Sequence, residues 1–357
     1  MCASKLSPVT ISGSHFVKDG KRFDIRGVVY QPHRSTESVH RDEDYDSLRD
    51  ECLDDLQKDI VLFKELGINA IKVYSILPHL SHDAVLEALA AAGIYVLAGL
   101  FSRFHCISRK RPYESYNTRL VNEYMQAVDC FSKHDNVLGV VAADDLMCDA
   151  ESTQAAEVIR AVIRDTKLYM VRQHQSNGQR ILPIGIGDAM YAANSTDSMD
   201  YFTAGDVSEQ IDFYSFAYYD KVVEPSSHWS QVIQRFDGRN IPIFVSEYGN
   251  NITRPRQFRE TTSLYYRDAL QVLSGGFAYD FVHGGNDYGL VTASHQKLQD
   301  FEFLKQRFQE AATTEETSTS ELKETVTAQP VRFPPLSESW RASSNIPAPV
   351  LQTYEQP

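Results

Sequence analysis

Cysteine is scarce and scattered in this 357-residue chain. Cys2, Cys52, Cys106, Cys130 and Cys148 have neither a paired metal-ligand spacing nor the even count of a disulfide framework. Reduced thiols are expected, and no metal or organic cofactor is implied. Long hydrophobic runs are missing as well: no segment approaches the roughly 20 apolar residues of a membrane span, and the leading MCASKLSPVT has no apolar run of signal-peptide length. That reading places the protein inside the cell, in the cytoplasm. Positive charge is in deficit, 35 basic against 48 acidic residues for a net charge of -13, which disfavours nucleic-acid partners bound through phosphates. The local basic cluster Arg103 to Arg111, RFHCISRKR, reads as a solvated loop. Large apolar residues thin out from Ala311 onward, where TTEETSTSELKETVTAQPV leads into a segment rich in proline and serine. Such a composition offers too little burial to offset chain entropy, so residues 311–357 are expected to form a disordered tail, without the terminal hydrophobic segment of a lipid anchor.

Residues 1–310 are of another kind. Apolar runs of strand length alternate with longer amphipathic stretches, the pattern of repeated βα units. The strand candidates are 23–30, 70–75, 95–100, 137–142, 181–186, 211–217, 241–247 and 275–282. Between them, Leu53, Leu56, Ile60, Phe63 and Leu66 share one helical face that ends at Gly67, and Val158, Ile159, Val162 and Ile163 repeat the spacing. An open doubly wound sheet would more often carry a glycine-rich turn after its first strand, and VVYQPHR has none. Eight parallel strands with intervening helices point to a (β/α)8 TIM barrel, of α/β class. Ahead of it, TISGSHFVKDGKRFDIRG predicts a β-hairpin turning at Asp19 and Gly20 that closes one end of the barrel.

Active residues of such barrels project from the C-terminal ends of the strands. Those ends hold Tyr30 and Gln31, Tyr74, Gly99, Asp144 and Asp145, Tyr218 and Tyr219, Glu247 and Tyr248, and His283, Asn286, Asp287 and Tyr288. In NVLGVVAADDLMCD a buried-looking run ends in two adjacent carboxylates, and buried charge needs a partner. Acids after strands four and seven can face each other across one mouth, as sugar-bond cleavage by a proton donor and a nucleophile requires. Aromatic rings such as Tyr74, Tyr219, Tyr248 and Tyr288 would stack on sugars, and Gln31 and Asn286 would orient hydroxyls. The plainer alternatives are that Asp144 or Asp145 caps the following helix, and that individual tyrosines simply pack. His283 reads as a hydrogen-bonded pocket lining rather than a metal ligand, since no second His or Cys has matching spacing. Cys148, with no visible His partner, reads as packing.

IRGVVYQP, DIVLFKELGINAIKVYS, AGIYVLAGL, NVLGVVA, IDFYSFAYY, IPIFVSEYG and NDYGLV follow one another in an order that resembles the fungal β-1,3-glucanosyltransferases of glycoside hydrolase family 72, from about Ile11 to Val291. Those cell-wall enzymes cut a β-1,3-glucan and rejoin it to another, and are secreted and anchored at the cell surface. The resemblance makes Glu247 of SEYG the nucleophile and puts Gln31, Tyr74 and Tyr219 in the sugar subsites. The family's Gly-Asn-Glu at the end of strand four, whose Glu is the acid/base, corresponds to Ala143, Asp144 and Asp145. Asp145 therefore takes the acid/base position one methylene short, and Asp144 adds a second negative charge beside it, so that the two are expected to share a proton or to disfavour the anionic arrangement.

Other departures are Gly99 for an Asp, Ala217 for an Asn, Phe281 to Gly285 in the closing motif, and the loss of a Trp-Cys after the sixth strand. Three functions follow as expectations: a retaining transglycosylase or hydrolase acting on β-glucan oligosaccharides, an intracellular acid/base enzyme (cyclase or isomerase) on a small metabolite, or a glucan-binding pseudoenzyme.

Overall fold

The computed structural model describes residues 6–32, 46–189, 195–222, 224, 227–315 and 330–351. The leading MCASK and the tail stretches 316–329 and 352–357 lie outside the described residues. Three short strands, β1 (Thr10–Ser12), β2 (His15–Lys18) and β3 (Lys21–Arg22), form an antiparallel sheet. Asp19 and Gly20 both take positive φ, 51° and 73°, the backbone that a two-residue hairpin turn requires. Phe16 of β2, with Val9 and Phe23, packs on Phe213, Phe244 and Phe277 inside the barrel. Those three rings sit near the starts of their strands, so the small sheet plugs the end where the strands begin, as expected.

The barrel strands are β4 (Ile25–Val29), β5 (Ala70–Ser75), β6 (Tyr95–Phe101), β7 (Val137–Asp144), β8 (Ile184–Asp188), β9 (Phe213–Tyr218), β10 (Ile243–Tyr248) and β11 (Gly275–Ala278). They close in the order β10-β11-β4-β5-β6-β7-β8-β9, every barrel pair parallel. Around them lie α1 (Leu53–Leu66), α2 (Asp83–Ala91), α3 (Pro112–Ser115), α4 (Thr118–Phe131), α5 (Ala155–Asn177), α6 (Ser195–Thr203), α7 (Ser230–Phe236), α8 (Arg259–Leu264), α9 (Arg267–Leu270) and α10 (Gln299–Glu315). The predicted α1 face is the buried one, Leu56, Ile60, Phe63 and Leu66, and Gly67 ends the helix at φ 80°. Strand alternation divides the core: Val29, Ala70, Leu97 and Phe244 fill the barrel, while Val28, Ile71, Val96 and Val245 meet the helices. Among the described residues no helix is long and apolar enough to cross a membrane.

Within the tail, the described residues 330–351 depart from what composition leads one to expect. The expected boundary at residue 310 falls within α10, which runs to Glu315. Residues 330–351 have no helix or strand, yet they are docked rather than loose. Trp340 is fully buried, with its ring 5.2 Å from that of Tyr201 on α6. Phe333 lies 5.6 Å from the same tyrosine and under the guanidinium of Arg160. The backbone N–H groups of Arg341 and Ser343 donate to Thr153 Oγ1 and Glu157 Oε1 at 2.9 Å and 2.7 Å. Average composition misses this because a few anchors suffice: one buried indole removes as much apolar surface as several small residues.

Candidate active site

The polar centre is built on Lys72, in the middle of β5. Ala70 lies in the barrel interior, so the alternation along AIKVYS turns Lys72 and Tyr74 inward as well. Lys72 Nζ is 2.7 Å from Asp144 Oδ2 and 3.4 Å from Glu247 Oε1, with 1% of its side chain exposed. Burial opposes the charge on Lys72, but the two carboxylates outweigh it and hold the ammonium above the ordinary lysine range. Lys72 was not among the residues singled out in the sequence. The available signal was a lysine inside an otherwise apolar strand, two residues before a candidate tyrosine.

Glu247 accepts from three donors. The Tyr74 hydroxyl and Lys72 donate to Oε1, and the Tyr219 hydroxyl donates to Oε2 at 2.8 Å. A register shift between Val245 and Glu247 along β9, matched by one between Val245 and Tyr248 along β11, aims this side chain into the mouth. Burial and the Glu247 charge push both tyrosine hydroxyls far up, so they are donors at any accessible pH. Three donors thus occupy its two oxygens and hold the carboxyl group in one orientation.

The two adjacent aspartates have different surroundings. Asp144, the last residue of β7, is drawn inward to Lys72. It lies over Gly187 of β8, where an added Cβ would meet Asp144 Oδ1 at 1.7 Å, so that glycine makes the room the carboxylate occupies. Asp145 has left the strand with φ 50°, its N–H donating to Gly187 O at 2.9 Å, and its side chain lines the open cavity. The guanidinium of Arg109, from the basic cluster read as a solvated loop, donates to the carbonyls of Asp145 and Leu146 and pins this turn. Desolvation raises the Asp145 carboxyl above the usual range, and the charges of Asp144 and Glu247 raise it further. Burial raises Asp144 too, with Lys72 opposing. Neither aspartate caps the helix that follows, which starts without a side-chain cap; in the turn before it Asp149 Oδ1 accepts the Ser152 N–H at 2.8 Å.

The cavity encloses about 460 Å3, with Asp145, Ala217, Tyr218, Tyr219, Arg235 and Glu247 in its wall. Tyr219, Tyr279 and Tyr288 form an edge-to-face cluster beside it, with centroids 5.2 to 6.2 Å apart. Asn286 Nδ2 reaches the Tyr279 hydroxyl at 3.3 Å. Gln31, two residues past inward-facing Val29, keeps the interior parity and is half-buried.

Two expected binding residues are elsewhere. Tyr248 is fully buried on the outer face of β10, with its hydroxyl among Thr261 and Tyr265, because the residue after an inward Glu247 points outward. His283 is exposed and lies against Gly289 and Asp287 rather than the carboxylates. β11 ends at Ala278, so the loop carrying His283 begins earlier than the apolar run through Val282 implied. Tyr279 and Asp280, passed over as strand interior, stand at the strand end instead.

The family profile described as glucanosyltransferase matches residues 1–312. The chain is 36% identical over 314 residues to 1,3-beta-glucanosyltransferase gel1 of Aspergillus fumigatus, covering 86% of this chain and 66% of the relative. It is 33% identical over 365 residues to 1,3-beta-glucanosyltransferase GAS2 of Saccharomyces cerevisiae, covering 96% and 63%. The chain thus spans about two thirds of the length of the curated relatives it matches. Among solved structures, Saccharomyces cerevisiae Gas2p in complex with laminaritriose and laminaritetraose superposes with a TM-score of 0.84 at 30% identity, covering 98% of this chain and 79% of that one. The same protein in complex with laminaripentaose gives 0.83 at 30% identity, covering 97% and 78%.

Proposed function

We propose that this chain, which belongs to the glucanosyltransferases of glycoside hydrolase family 72, cleaves a β-1,3-glucan oligosaccharide with retention and transfers the new end to a second glucan. The observation that carries this reading is the unequal treatment of carboxylates around one cavity. Glu247 accepts from three donors, while Asp145 lines the same cavity with its carboxyl raised. In the first step Asp145 gives its proton to the departing glycosidic oxygen as Glu247 bonds to the anomeric carbon. In the second, Asp145 takes the proton of an acceptor hydroxyl, which displaces Glu247. Asp144, paired with Lys72, acts through its charge, which helps to raise the Asp145 carboxyl. The tyrosine cluster offers rings for sugar faces, and Gln31 an amide for a hydroxyl. We assign the catalytic unit to the barrel.

The test is mass spectrometry of purified protein incubated with reduced laminari-oligosaccharides, beside Glu247→Gln and Asp145→Asn. Products longer than the donor are expected from the wild type alone. Oligosaccharide binding without products would replace the reading with that of a glucan-binding protein. Absence of both binding and products would favour a small-metabolite enzyme. Asp145→Glu, which restores the methylene, is expected to raise turnover if reach limits the proton donor.

A further inference from the structure

Apart from the mouth, three side chains from separate segments line up in the helical layer. Asp46, shortly before the 3-10 turn Asp50–Cys52, accepts the N–H of Leu48 at 2.8 Å through Oδ1 and that of Leu77 at 2.7 Å through Oδ2. The same Oδ2 faces His82 Nε2 at 2.7 Å, both side chains being wholly buried. His82 Nδ1 in turn meets Cys130 Sγ at 3.1 Å, in the last turn of α4. Cys130 is half-buried and opens on a second cavity of about 300 Å3 that shares no wall residue with the first.

The order thiol, imidazole, carboxylate is that of an activated nucleophile with its base and the group that orients the base. Asp46 fixes the Nε2–H of His82, which leaves Nδ1 opposite the sulfur to take its proton. Burial pulls His82 down, but its hydrogen bonds with Asp46 and Cys130 prevail and push it up to about 10. An imidazole base 3.1 Å from the sulfur is the setting in which a thiol gives up its proton and becomes nucleophilic.

The other charged groups of this cavity are Asp83, Asp129 and Lys133. Asp83 is met by His134 Nε2 at 2.9 Å, and Asp129 by the Tyr169 hydroxyl and Gln179 Nε2 at 2.5 Å and 2.9 Å, while Lys133 adds positive charge. Two carboxylates in the wall discourage anionic reagents, and Pro78 and Leu80 beside them suit a small uncharged one. The remaining described thiols lack this setting. Cys148 stands beside the Asp149 carboxylate, burial raises Cys52, and Cys106 is exposed.

We propose that Cys130 is a redox-reactive thiol, oxidised by small hydroperoxides that enter the second cavity, with His82 as its proton acceptor and Asp46 as the residue that positions His82. The sulfur attacks the terminal oxygen of the hydroperoxide; an S–O bond forms as the O–O bond breaks. The sulfur loses two electrons, the hydroperoxide gains them, and the departing alkoxide or hydroxide leaves as alcohol or water with the proton held by His82. Cys130 ends as a sulfenic acid.

Two measurements on the full, reduced chain test this, each resolved by residue with mass spectrometry. Iodoacetamide is expected to alkylate Cys130 faster than the more exposed Cys106 at about pH 6, with little change up to about pH 8, while the rate at Cys106 rises roughly tenfold per pH unit. Hydrogen peroxide followed by dimedone is expected to leave the adduct on Cys130. Parallel pH profiles for the two cysteines, or no adduct on Cys130, overturn the proposal. His82→Gln is expected to remove the advantage of Cys130. Because His82 is buried, the profile of the unaltered chain decides the matter if that variant fails to fold.

Discussion

Lys72 governs what the surrounding acids can do. An ammonium with 1% exposure stands between carboxylates at 2.7 Å and 3.4 Å and offsets the repulsion between Asp144 and Glu247. Lys72→Met keeps the stem and deletes the charge, so two carboxylates are left to repel each other in a poorly solvated space. Loss of one member of a buried pair costs about 3–5 kcal/mol. The variant is therefore expected to melt several degrees lower and to lose at least roughly a hundredfold in transglycosylation, a factor worth about 3 kcal/mol of barrier. Denaturant melts and product analysis check the two separately. Asp280 titrates nearby: burial pushes its carboxyl up to about 7, with the Val282 N–H and Arg256 opposing. A folded value above the unfolded one means the native state binds a proton that the unfolded chain has released. That stabilisation is complete below about pH 4 and is lost as pH rises through 7. Asp280→Asn is expected to flatten the fall in melting temperature across that window; equal slopes for variant and wild type would refute it.

At the scale of elements, one strand separates residues that the sequence presents side by side. Glu247 and Tyr248 are neighbours in SEYG, yet β10 turns one into the mouth and the other toward α8. The strand-end rule found Glu247, Tyr74, Asp145 and Tyr219 because it names a height in the barrel. It could not exclude Tyr248, because the face depends on parity and a register shift intervenes just before Glu247. Gly99 illustrates the same limit. Read from the sequence it is a departure from the family's Asp, but a Cβ there would lie 2.1 Å from the Tyr74 carbonyl oxygen, so the site is closed to any side chain unless the β5–β6 register moves. The consequence is a paired experiment. Tyr219→Phe removes a donor to the Glu247 carboxylate, an interaction worth about 1.5–3 kcal/mol, and is expected to lower turnover about 10- to 100-fold. Tyr248→Phe is expected to leave turnover unchanged. Equal losses would place Tyr248 in the mouth after all.

For the whole molecule, periodicity and strand-end chemistry made the barrel, its plug and the carboxylate pair legible, because each depends on contacts that repeat along the chain. The Lys72 centre and the tail were less legible, since each depends on a few residues meeting others far away in sequence. Trp340 joins Tyr201, and Ser343 joins Glu157, across more than a hundred positions. A 47-residue composition average, Ala311 to Pro357, dilutes one indole among serines and prolines. Physically that indole is a fully buried ring closing the surface over α5 and α6, while its own Nε1–H donates to Ala342 O at 3.0 Å. The docked segment is therefore part of the folding unit. Trp340→Ala should leave a cavity that the extended backbone around it cannot fill, at a cost of about 3–5 kcal/mol. Thermal and denaturant melts of Trp340→Ala and of a chain ending at residue 329 are expected to show matching destabilisation in a single transition, with transglycosylation per folded molecule unchanged. Wild-type melting in both would mean that the segment does not dock in solution. A loss confined to activity would mean that it acts on the mouth rather than on the fold.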